Sequence, residues 1–247
     1  MIYTNLLIFL VAIFLFSMNT VAETPILPGW AALIAFLLLL AGFDRIARHY
    51  FRHPEACTSA GYFKAEKKLT IVALVFFLTT LYLCDAKYYL AVLSFGNRLP
   101  AFVNVSGLSL FLLYLALMWR VGRSNYRRVF GRNYSAVAFI VVNIKANLPI
   151  VLPWVVLSLL NDLATLIPSP ALHRLLASEW GDLAFFVLFL FFVLLLFPPL
   201  VRRLWDCREL PEGALKRHLT SFCEKQGFTA GFYLWPLFEG QALTAGV

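Results

Sequence analysis

The sequence predicts an all-α polytopic membrane protein of about six transmembrane helices, with the start of a small cytosolic α/β segment at its C-terminus. Three observations carry that expectation. Of 247 residues, 61% are hydrophobic and 14% charged, more apolar side chain than a soluble domain of this size can hide. The apolar residues fall in runs near the roughly 20 residues that cross about 30 Å of hydrocarbon. Between the runs, Lys and Arg gather in alternate loops, as orientation signals do. The net charge of +8 is therefore read as membrane topology and not as a nucleic-acid footprint.

The first run, residues 2–18, resembles a signal peptide, with Thr20-Val21-Ala22 before Glu23 as a cleavage-like site. It lacks the positive start of such a peptide and is read as the first span. Pro25 to Gly29 is a turn, because Pro and Gly punctuate helices. The second span is 30–43, lengthened into the interface at both ends. Residues 44–68 form a polar loop with Arg45, Arg48, Arg52, Lys64, Lys67 and Lys68.

The third span is 69–93 and contains Asp85 and Lys87. At 1.5 Å per residue, Asp85 lies about 25 Å beyond Lys68, near the far interface. Snorkelling to water is preferred there over an ion or proton relay. Residues 94–104 are an outer loop. Asn104-Val105-Ser106 matches a glycosylation acceptor but abuts the fourth span, 105–119, and is discounted. Arg120, Arg123, Arg127, Arg128 and Arg132 follow, with Tyr126 and Phe130 among them. A cytosolic loop beside anionic headgroups explains this strip more simply than RNA stacking.

Residues 134–166 are too long for one straight span. Lys145, Asn147, Pro149 and Pro153 divide them into an interfacial helix, 134–146, and a fifth span, 148–166, kinked at Pro153. Asn143 and Asn147 share one helical face and are read as interhelical hydrogen bonders. Asn161 and Asp162 fall near the outer end. Residues 168–182 form an outer loop with a short helix at 170–176. The sixth span, 183–200, ends at Pro198-Pro199 and Arg202-Arg203. On this layout 18 of the 21 Lys and Arg lie inside, and only Lys87, Arg98 and Arg174 outside. Both termini are then cytosolic.

After the spans, Leu215, Leu219 and Phe222 recur on one side of a helix reaching Gln226, with Lys216, Arg217 and Lys225 opposite. Gly227 is its stop. Residues 230–237 read as an aromatic strand, and 241–247 begin a second. Domain boundaries are thus 1–204 for the spans and 205–247 for the cytosolic segment. One helix and one and a half strands do not close a core, so a partner protein or a continuation of the chain is expected to complete it.

The junction carries a resemblance. Phe197-Pro198-Pro199-Leu200-Val201-Arg202-Arg203-Leu204-Trp205, then Cys207, Leu210-Pro211-x-Gly213-x-Leu215-Lys216-x-x-Leu219 and Gly227-Phe228 resemble the integral-membrane zinc metallopeptidases of the CAAX-prenyl-protease and HtpX type. Asn147-Leu148-Pro149-Ile150-Val151-Leu152-Pro153-Trp154, with Asp162 downstream, is similar to bacterial members. The resemblance implies a bacterial inner-membrane protein acting on membrane or misfolded proteins. It also implies a zinc held by His-Glu-x-x-His, with the Glu activating a bound water.

The sequence does not contain that motif. His49 and His53 are four apart, but the run is His-Tyr-Phe-Arg-His, with no Glu between and Pro54 next. A basic surface helix is the preferred reading. His173 is expected on the opposite side, and His218 stands alone. Cys57, Cys84, Cys207 and Cys223 form no C-x-x-C pair and are read as reduced, inert thiols. No catalytic, cofactor-binding or metal-binding residue is assigned, and zinc is expected only with a further catalytic segment. Two functions follow: the membrane part of a metallopeptidase-like protein without its catalytic residues, or a non-enzymatic subunit docking through its C-terminal helix and strands. The lipid bilayer is a partner in either case.

Overall fold

The computed structural model describes residues 2–94, 100–167, 178 and 180–234. The chain divides into two compact units, Met1–Phe186 and Val187–Val247, each taken by itself below. The sequence expectations at 170–176 and 241–247 lie outside the described residues.

The first unit is a helical bundle. It contains α1 (Ile2–Met18), α2 (Gly29–Arg52), a 3-10 turn (Pro54–Cys57), α3 (Ser59–Leu83), α4 (Ala86–Leu93), α5 (Pro100–Phe130) and α6 (Ala136–Leu166). A further helix, α7 (Gly181–Leu195), leads into the second unit. α5 is central, touching α1, α2, α3, α4 and α6. The core is aromatic: Phe9 meets Phe111 at 5.2 Å, Phe77 meets Phe111 at 5.5 Å, and Phe43 meets Tyr114 at 5.4 Å between ring centroids. Two glycines let rings lie against the α5 backbone. A Cβ at Gly107 would stand 2.1 Å from the Phe16 ring, and one at Gly122 would stand 2.7 Å from Phe51.

All-α membrane architecture holds. Among the described residues, three helices are long and apolar enough to cross a bilayer, or up to five if each bent pair counts as one span. The apolar part of α1, Leu6–Met18, is shorter. In the bundle its Phe9, Ala12 and Phe16 are each 1% exposed.

Several boundaries differ from the sequence expectation. The loop expected at 44–68 is mostly helix. α2 runs on to Arg52, and α3 starts at Ser59 with Thr58 as its N-cap, whose hydroxyl accepts the Gly61 N–H at 3.1 Å. α5 likewise starts at Pro100, inside the expected outer loop, and runs through the arginine strip to Phe130. Hydropathy marks where hydrocarbon ends, and a helix need not end there.

The third span breaks. Asp85 takes a left-handed φ of 45°, and α3 and α4 meet at 68°. No Pro or Gly marks the place. The sixth span also breaks, into α7 and α8 (Phe197–Leu204), bent by 47°. Pro198 and Pro199 fall in the first turn of α8, where their missing N–H groups cost nothing.

α6 is one helix of 31 residues instead of two segments. Phe139, Asn143, Asn147 and Val151 recur every fourth residue, and all are buried. Burying the two asparagines is tolerable because each amide donates to the carbonyl four residues back, Asn143 to Phe139 and Asn147 to Asn143, both at 2.8 Å. One face of α6 is thus buried through the boundary expected near residue 146.

In the second unit, α8 is followed by β1 (Arg208–Glu209), α9 (Ala214–Lys225) and β2 (Tyr233–Leu234). β1 and β2 pair antiparallel, Arg208 opposite Leu234 and Glu209 opposite Tyr233. The expected strand at 230–237 is thus a two-residue strand among the described residues, and its partner β1 was not foreseen. Gly227, at φ 79°, ends α9 as expected. Phe228 N–H donates to the Cys223 carbonyl and Gly227 N–H to that of Glu224, which is a Schellman stop.

Candidate functional site

The two ends of the bundle use their polar residues differently. At the end holding the α3–α4 break, side chains pin backbone. Asp85 accepts the Ile26 N–H at 2.6 Å. The Lys87 ammonium donates to the Phe16 carbonyl at 2.9 Å and to that of Asn19. It also lies 4.9 Å from the centre of the Phe16 ring. A cation on the last carbonyls of α1 is favoured by the helix dipole. Asp162 accepts the Ala101 N–H at 2.7 Å, placing a carboxylate on the first turn of α5. Asn104 donates to Ser158 at 2.9 Å, so the glycosylation-like tripeptide sits within a helix contact. Asp85 and Lys87 therefore pin backbone at this end of the bundle.

The opposite end carries the basic residues. Asp44 is shared by Arg48, at 2.7 Å, and Arg120, at 2.8 Å, joining α2 to α5. Asn125 donates to the carbonyls of Phe51 and Ala56 and holds the 3-10 turn. Trp119 Nε1 donates to Glu66 at 3.3 Å. Tyr126 is 4% exposed, packed among Tyr62, Phe130 and Phe139. It is part of the core and offers no platform for stacking bases.

A cavity of about 320 Å³ opens between the last turn of α2, the 3-10 turn and the first turns of α3. Its walls are His49, His53, Glu55, Lys64 and Lys68, and Ala56 and Ala65 lie among its lining. Two i, i+4 pairs converge here, one at the end of α2 and one on α3. The His49 and His53 rings stand 6.4 Å apart at 82°. Among the described residues, no ion pair joins Lys64, Lys68 or Glu55 to another side chain, and no group of three His, Cys, Asp or Glu is placed to hold a metal. From the sequence, His49 and His53 are set aside as a pair because no Glu lies between them. The signal this passes over is that 49/53 and 64/68 share a spacing on either side of Pro54.

A second cavity, of about 330 Å³, is apolar and lined by Leu33, Phe36, Thr80, Cys84 and Leu90 among others. The Thr80 hydroxyl is engaged with Tyr114 at 2.7 Å.

His218 is exposed on α9, and His173 lies outside the described residues. Within the second unit, Arg202 lies over the Tyr233 ring at 4.9 Å, and Lys216 pairs with Glu212 at 2.6 Å, which pushes the lysine up from its ordinary value. Burial raises the Cys207 thiol, against the nearby Arg202 charge. Cys57 is exposed, whereas Cys84 and Cys223 are buried.

No protein-family model, curated protein or solved structure matches this chain.

Proposed function

We propose that the chain is a membrane-embedded, non-catalytic part of a larger cytosol-facing assembly. The observation that carries this reading is α9. Leu215 and Phe222, seven residues apart on one side, are 61% and 57% exposed. Among the described residues of the second unit, only Leu210 and Cys223 are buried. An amphipathic helix with its apolar side bare, beside a two-residue strand pair, is a surface for another protein segment. That segment is a partner subunit or a peptidase domain of the kind the junction residues resemble. Zinc belongs to the assembly only with such a domain.

The membrane layout of this reading has six spans, counting α1, and both termini in the cytosol of a bacterial inner membrane. The support is charge: Lys64, Lys67, Lys68 and the arginines from 120 to 132 gather at one end of the bundle. The test combines three measurements. Photo-crosslinkers at Leu215 and Phe222 should yield one discrete protein adduct in cells, and exposed Cys57 should react with membrane-impermeant maleimide only from the cytosolic face. Metal analysis should find no stoichiometric zinc on the purified chain. Tight zinc together with peptide hydrolysis, or Cys57 labelling from outside, would overturn the reading.

A further inference from the structure

We infer that the cavity between α2 and α3 holds a phospholipid headgroup bearing both a phosphodiester and a primary ammonium, that of a phosphatidylethanolamine. This rests on the proposed placement of the basic end at the membrane surface. Lys64 and Lys68 of α3 line the cavity together with His49 and His53 from the end of α2, two ammonium-bearing and two imidazole side chains. That set suits a phosphate. Glu55 lines the same space and has no ion-pair partner among the described residues. A carboxylate would disfavour a plain anion there, but it complements an ammonium two carbons from the phosphate. Ala56 and Ala65, 2% and 8% exposed, add small apolar surface to the lining for those carbons. The volume of about 320 Å³ falls in the range of small-molecule sites, about 300–1,000 Å³.

Native mass spectrometry of the full chain in detergent, titrated with phosphatidylethanolamine, phosphatidylglycerol or phosphatidylcholine, tests the assignment. The ethanolamine lipid should be retained about threefold over the other two, the scale of one exposed ion pair. Glu55→Gln should erase its advantage over the glycerol lipid. Lys64→Gln with Lys68→Gln should lower both by about tenfold, the scale of two such pairs. All these side chains are exposed, so the variants should melt with the parent. A preference for phosphatidylglycerol, or selectivity unchanged in Glu55→Gln, would overturn the proposal. So would equally tight binding of water-soluble glycerophosphoethanolamine, which would make the ligand a free solute. Alkaline carbonate extraction keeps the two readings apart. A chain stripped from membranes sinks the membrane placement, whereas lost selectivity in a chain that stays embedded sinks only the lipid assignment.

Discussion

The α3–α4 end of the bundle and the cavity between α2 and α3 are lined by similar residue types and use them differently. At one end Asp85, Lys87 and Asp162 each reach a backbone group of another helix or of the residues linking α1 to α2. At the other, Lys64, Lys68, His49, His53 and Glu55 face an open cavity. Charge near a membrane is therefore no guide to role until its partner is known. A charge spent on a carbonyl or an N–H maintains the fold, and a charge left facing a cavity is free to bind.

Substitutions at the two ends should separate these roles. The largest effect is expected for Asp85→Val. Valine resists a φ of 45° and cannot accept the Ile26 N–H, so thermal unfolding in detergent should show a loss of about 2–4 kcal/mol. Asp85→Asn, which tolerates the left-handed region and keeps an acceptor, should recover most of it. Lys87→Met comes next. It keeps the stem but releases the Phe16 and Asn19 carbonyls, for about 1–3 kcal/mol. At the cavity end, Lys64→Gln with Lys68→Gln should shift stability by no more than about 0.5 kcal/mol, as surface changes do. A double variant that unfolds as readily as Asp85→Val would abolish the distinction.

The smallest effect concerns a thiol. Burial raises Cys207, leaving less thiolate at neutral pH, so its alkylation should climb with pH through a midpoint above the ordinary thiol value of 9.0. A midpoint below 9.0 would show that Arg202 outweighs burial.

Much of the helical content was legible because apolar runs and their punctuation are local signals. α1 has the expected bounds, the Pro25 to Gly29 turn separates it from α2, and α9 stops at Gly227. What escaped was decided at a distance. The break at Asp85 is held by contacts to Phe16, Asn19 and Ile26, which no window around residue 85 contains. α2 and α5 run past their apolar stretches because Asp44, Arg48 and Arg120 satisfy one another on adjoining helices. α6 runs unbroken past Pro149 and Pro153, and Asn143 and Asn147 bond within their own helix. β1 is two charged residues, with none of the alternation that announces a strand. The cavity escaped for a related reason: its walls come from two helices joined by a turn that the sequence presented as a loop.

The hold of Lys87 on the end of α1 has a corollary for processing. A protease cutting the link between Met18 and Gly29 would sever a covalent bond and release nothing. The freed piece would still have Phe9 and Phe16 sunk among α3 and α5 and its terminal carbonyls gripped by an ammonium. A nicked molecule should co-purify as two fragments, with the shorter one behaving as a resident subunit.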